Sequence, residues 1–105
     1  GAEVNALDDT NETPLLNAVE HRHSATARIL LANGADINVV NNLRQTPLHL
    51  LASFGREHIV QYMIQRGAEI NALDDNNETP LFNAVVHRHP ATARILLANG
   101  ADINV

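Results

Sequence analysis

The sequence has no cysteine, no tryptophan and no lysine. Without cysteine there is no disulfide framework, no thiolate nucleophile and no Cys-ligated metal, so a chain of 105 residues has to be held by packing alone. Aromatic residues make up 3% of the chain, namely Phe54, Tyr62 and Phe82, which leaves Ala, Leu, Ile and Val to build the core and suits thin, closely stacked layers. All seven basic residues are scattered arginines, set against twelve acidic residues for a net charge of -5. Phosphate binding needs a basic patch, so nucleic acid is not the expected partner. Long hydrophobic runs are missing too: Ile29–Ala32 and Val39-Val40 are typical of what is present. The expectation is therefore a chain that neither spans a membrane nor opens with a signal peptide, and the lack of cysteine fits an intracellular, cytoplasmic setting. The length is that of one ordinary domain, residues 1–105.

What the sequence does have is self-similarity. Gly-Ala recurs at positions 1, 34, 67 and 100, and Thr-Pro-Leu at 13, 46 and 79, both with a period of 33. The chain divides into units 1–33, 34–66 and 67–99, followed by 100–105 as the start of a fourth. No linker or low-complexity segment separates them.

Each unit reads the same way. In the first, Thr13 is an N-cap candidate, and Pro14 takes the first helical position, where its missing N–H costs nothing. Leu15, Ala18 and Val19 follow at i, i+3, i+4 spacing and form one apolar stripe. A polar break at His21, Arg22 and His23 precedes Ser24, read as a second N-cap, then an apolar run through Ile29, Leu30 and Leu31, with Gly34 as the stop. Pro90 replaces Ser24 in the third unit, which still suits a helix start. The spacing predicts six helices beginning near Thr13, Ser24, Thr46, Glu57, Thr79 and Pro90, with Asn-rich turns between the pairs. Helices of roughly eight to ten residues are marginal alone, so each unit must bury its stripe against its neighbours, which is the logic of a solenoid.

The run Thr46-Pro47-Leu48-His49-Leu50, with Gly55, Ile59-Val60 and the stretch Gly67 to Ala72, resembles the ankyrin repeat, whose 33-residue period matches over the whole chain. The resemblance implies an all-α solenoid of stacked helix-turn-helix units joined by extended β-turn or hairpin loops. Two departures stand out. The family's His after Thr-Pro-Leu survives only as His49, with Leu16 and Phe82 in the outer units. The turn position where glycine is usual holds Asn11, Arg44 and Asn77, and Arg44 is the least suited to a left-handed backbone, which predicts strain in the middle turn.

A longer period overlies the first. The first and third units differ at five positions only (4/70, 10/76, 16/82, 20/86 and 24/90), and residues 100–105 repeat 34–39 letter for letter. The true repeat is 66 residues long, an outer-type unit followed by a middle-type unit. A recent duplication, an excerpt of a longer array or an engineered chain would each look like this.

Chemistry-bearing clusters are few. The pairs His21/His23 and His87/His89 are the most metal-like, but one pair supplies two ligands, and two stacking steps of about 8–10 Å separate the pairs by about 16–20 Å. They read as polar interhelical loops. Asp8, Asp9 and Glu12, with Asp74, Asp75 and Glu78, lack calcium-loop spacing and any companion nucleophile, and read as turn-stabilising surface groups. No phosphate loop, nucleotide fingerprint or catalytic triad context is found, so no enzyme, cofactor or metal is expected.

The resemblance implies binding of a protein partner through the turn tips and the concave side made with the first helices. Carried onto this chain, the tips are Leu7, Asp9, Thr10 and Glu12, then Val40, Asn42, Leu43 and Gln45, then Leu73, Asp75, Asn76 and Glu78. The first helices end in Glu20 and His21, Ser53 and Phe54, Val86 and His87. Leu43 and Phe54, exposed inside an acidic rim, would be the centre. The resemblance also marks Asn38, Asn71 and Asn104 as candidates for Asn hydroxylation, with Leu30 and Leu96 eight residues ahead of the first and last. The competing reading is a structural spacer, or an engineered array that associates end to end without a cognate partner, because the first and third units are near-copies with no polar cap.

Overall fold

The computed structural model describes residues 3–10 and 12–103. Six helices follow in chain order: α1 (Pro14–Glu20), α2 (Ser24–Ala32), α3 (Pro47–Phe54), α4 (Glu57–Gln65), α5 (Pro80–Val86) and α6 (Pro90–Ala98). No strand forms among the described residues; the connections between units are turns. Each helix pair packs as a hairpin, α1 on α2, α3 on α4 and α5 on α6. The first helices then stack in the order α1, α3, α5, and α4 stacks on α6, giving a solenoid 40 Å long.

The first helix of every unit starts as its sequence dictates. Thr13, Thr46 and Thr79 are extended N-caps whose hydroxyls accept from the backbone N–H of Leu16, His49 and Phe82, with proline next in line. The second helices start differently from the expectation. Ser24 is the first helical residue, not the N-cap; the cap is His23, which makes no side-chain capping bond. Pro90 and Glu57 hold the same place, and a position that accepts proline is a first helical position, where no N–H is needed.

Helix ends are governed by left-handed residues. Gly34, Gly67 and Gly100 have φ of 94°, 92° and 98°, and the following N–H of Ala35, Ala68 and Ala101 reaches back to Leu30, Met63 and Leu96. The first helices stop the same way at Arg22, Gly55 and Arg88, with φ of 61°, 71° and 64°. Two of those three residues carry a Cβ that the left-handed region penalises.

Leu15, Val19, Leu31, Leu48, Leu51, Val60, Met63 and Leu96 are buried between the stacked units, each stabilising the fold by about 1.5–3 kcal/mol relative to exposure. Polar staples tie the units together. His49 is fully buried, takes the Thr46 N–H on Nδ1 at 3.0 Å, and lies 2.8 Å through Nε2 from the Glu78 carbonyl oxygen of the next turn. The side chains of Asn5, Asn38 and Asn71 accept from the N–H of Asp36, Glu69 and Asp102 in the following unit at 2.8 to 2.9 Å. Two hydroxylation candidates, Asn38 and Asn71, are thus inter-unit braces; Asn104 lies outside the described residues.

Candidate partner-binding face

The turn tips are rigid because one side chain closes each of them. Asp8 Oδ1 accepts from the N–H of Thr10 and Glu12, Asn41 Oδ1 from Leu43 and Gln45, and Asp74 Oδ1 from Asn76 and Glu78, all at 2.8 to 3.0 Å. Backbone bonds from residues 8, 41 and 74 to the carbonyls of Glu12, Gln45 and Glu78 complete the three turns. The acidic pairs therefore divide by role: Asp8 and Asp74 hold the turns, leaving Asp9 and Asp75 exposed. The Glu12 N–H, then the Thr10 hydroxyl and N–H, hold the Asp8 carboxyl below its ordinary range.

The middle turn has the geometry of the third. Arg44 has φ 59°, as does Asn77, so the expected strain at Arg44 sits in its backbone conformation and not in a distorted turn. Asn11 lies outside the described residues. Tips two and three are joined by the Asp75 N–H donating to the Leu43 carbonyl at 3.0 Å and by an exposed Arg44–Asp75 ion pair at 4.0 Å.

None of the eighteen candidate positions is buried. Leu7, Asp9, Thr10, Val40, Asn42, Leu43, Leu73, Asp75 and Asn76 are exposed at the tips, and Glu12, Gln45 and Glu78 are half-buried at their bases. His21, Val86 and His87 are exposed at the helix ends, and Glu20 and Ser53 are half-buried. Leu7, Val40 and Leu73 occupy one register position, so the turns present a row of apolar side chains spaced by one unit. Val40 and Leu73 line an open hollow of about 400 Å³ with Arg44 and Glu69.

Phe54 departs from the expectation of an open aromatic. It is half-buried, because the Arg22 guanidinium carbon lies 4.3 Å from its ring centroid. Leu43, at 60% exposure, remains open at the tip. Sequence reasoning also passed over Tyr62, whose ring centroid lies 5.0 and 5.5 Å from the guanidinium carbons of Arg28 and Arg66. The pair Tyr62/Arg66 at i, i+4 was a readable signal; Arg28, one unit earlier, was not.

Glu12 and Glu20 come together at the first unit. Burial pushes the Glu20 carboxyl up to about 7, and the hydrogen-bonded, like-charged Glu12 adds to this, while the charge of His21 and a hydrogen bond with Asn41 oppose it. The third unit has Val86 at the Glu20 position, so the two outer units differ here in charge. Among the described residues no group of three or more His, Cys, Asp or Glu is placed to hold a metal ion, and no helix is long and apolar enough to cross a membrane.

Comparison with known families agrees with the stacking. Ankyrin repeats (3 copies) match residues 33–105, and ankyrin repeats (many copies) match residues 1–51. The chain belongs to the ankyrin-repeat family. No match was found among curated proteins. Family and fold together make this ankyrin chain a non-catalytic helix-repeat scaffold, of a family that generally mediates protein–protein interactions.

Proposed function

We propose that the chain binds a protein partner through its turn tips and the adjoining ends of its first helices. The observation that carries this reading is the row Leu7, Val40 and Leu73, joined by Leu43, exposed on turns that Asp8, Asn41 and Asp74 hold in one conformation. Rigid presentation of apolar side chains lowers the entropy lost on association. Asp9, Glu12, Asp75 and Glu78 border that row, which favours a partner with an apolar strip flanked by basic groups.

Affinity capture with the intact chain tests this. The Leu43→Ser, Leu73→Ser double variant loses the captured partner, whereas Ile29→Ser, on exposed surface of α2, keeps it. Retention of the same partner by the double variant, or loss with Ile29→Ser alone, would overturn the reading.

A further inference from the structure

The near-identity of the first and third units lets one surface be seen in two states. The side of the first unit that faces the middle unit is covered: Leu16, Val19 and Leu31 are 0%, 1% and 4% exposed. Their counterparts Phe82, Val85 and Leu97 face away from the middle unit and are 45%, 60% and 45% exposed. The opposite side behaves in mirror fashion. Asn83, Thr92 and Leu96 are buried against the middle unit, while their counterparts Asn17 and Thr26 are exposed and Leu30 is half-buried. Asn17, Thr26 and Leu30 line, with Asp8, Pro14 and His23, an open cavity of about 560 Å³.

The covered copy shows what that cavity is shaped to receive. Asn83 Nδ2 donates to the His49 carbonyl at 3.4 Å, and His89 Nε2 lies 2.9 Å from the Ser53 carbonyl oxygen. The His89 ring then rests on Gly55, where a Cβ would come within 2.6 Å of Cε1 and 2.7 Å of Cγ. A unit seated on Asn17 and His23 must therefore end its first helix with free carbonyls and a glycine, as the middle unit does. The outer-type unit carries Arg88 at that place, with a left-handed backbone and a Cβ. The other junction uses a different pairing: Arg22 meets Arg56, whose Nη2 donates to the Arg22 carbonyl at 3.2 Å.

We propose that both end faces are docking sites for an ankyrin unit of the middle type, and that the pairs Gly55/His89 and Arg22/Arg56 form a stacking code that disfavours one outer-type unit stacked directly on another. Each face continues an interface already formed inside the chain, with the same side chains on one side of it except at 16/82, 20/86 and 24/90. A second copy seated end to end would instead bring Arg88 against His23. The code thus selects a middle-type unit over head-to-tail stacking of identical ends.

Two extensions of the full chain test this: residues 34–66 placed before Gly1, or residues 67–99 placed there, both of which preserve the 33-residue period. The middle-type extension slows amide hydrogen exchange in α1 and α2 by at least about tenfold, the scale of covering one leucine. The outer-type extension leaves it unchanged until glycine replaces the arginine corresponding to Arg88. Equal protection by both extensions, or no gain from that glycine, would overturn the code.

Discussion

The guanidinium of Arg22 lies over the ring of Phe54, 4.3 Å from its centroid, while the Arg22 backbone is held at φ 61°. The two facts pull in opposite directions. The stacked cation contributes about 0.5–1 kcal/mol at such a site, and a left-handed non-glycine residue costs about 1–2 kcal/mol. Arg22→Ala loses the stack and keeps the backbone cost; Arg22→Gly loses the stack and removes the cost. Urea unfolding is expected to rank Arg22→Ala below Arg22→Gly by about 1 kcal/mol, and equal midpoints would show that the backbone at residue 22 is unstrained.

Arg44 carries the same backbone cost with less return. Its φ is 59°, and its single ion pair, to Asp75 at 4.0 Å, joins side chains that are 68% and 48% exposed. Such a pair contributes at most a few tenths of a kcal/mol. Arg44→Gly is therefore expected to stabilise the chain by about 1 kcal/mol. Asn77→Gly, at an equal φ of 59°, gains less, since asparagine tolerates that region. A fall in unfolding midpoint for Arg44→Gly would contradict the argument.

Much of the fold was legible because ankyrin stacking repeats its signals in each unit. The threonine caps, the glycine stops and the apolar stripe each occur three times at one spacing, so no single position had to carry the reading. The second-helix start was displaced by one residue, because Ser24 resembles a cap locally while Pro90 and Glu57 at the same place mark a first helical position. The left-handed turn at Arg44 was visible from the glycine it replaces. What was hidden lies between units. Arg22 covering Phe54, His89 resting on Gly55 and Glu20 meeting Glu12 depend on side-chain reach across a stacking step or a turn, which no local periodicity encodes.

Glu20 predicts a pH dependence whose sign follows from its environment. Burial and the neighbouring Glu12 lift its carboxyl from an ordinary 4.5 to about 7 in the folded chain. The folded state then holds the proton more tightly than the unfolded state. Its contribution is fully present below 4.5 and is lost as pH rises through about 7. Glu20→Gln, which cannot ionise, is expected to exceed the parent in stability at pH 8 and to lose that advantage towards pH 4.5. The difference between the two unfolding curves isolates Glu20 from the histidines common to both. A difference that stays constant across this range would place Glu20 in solvent.

Thr92 poses the last test, because its two copies occupy opposite environments. The Thr92 side chain is fully buried in the stack between the middle and third units, and its hydroxyl has no hydrogen-bond partner among the described residues. Thr26 is the same residue of the first unit, exposed at the end face. A buried hydroxyl without a partner retains its desolvation penalty, about 1–3 kcal/mol, and valine replaces it with a methyl group of similar shape. Thr92→Val is expected to raise the folding stability by about 1 kcal/mol, and Thr26→Val to change it by less than about 0.5 kcal/mol, as at an ordinary surface position. The pair separates the loss of a buried polar group from any general preference for valine, since helix type, neighbours in sequence and substitution are the same. Equal effects at the two positions would mean that the Thr92 hydroxyl is satisfied in solution, and a loss at Thr92 alone would mean that it makes a bond worth keeping.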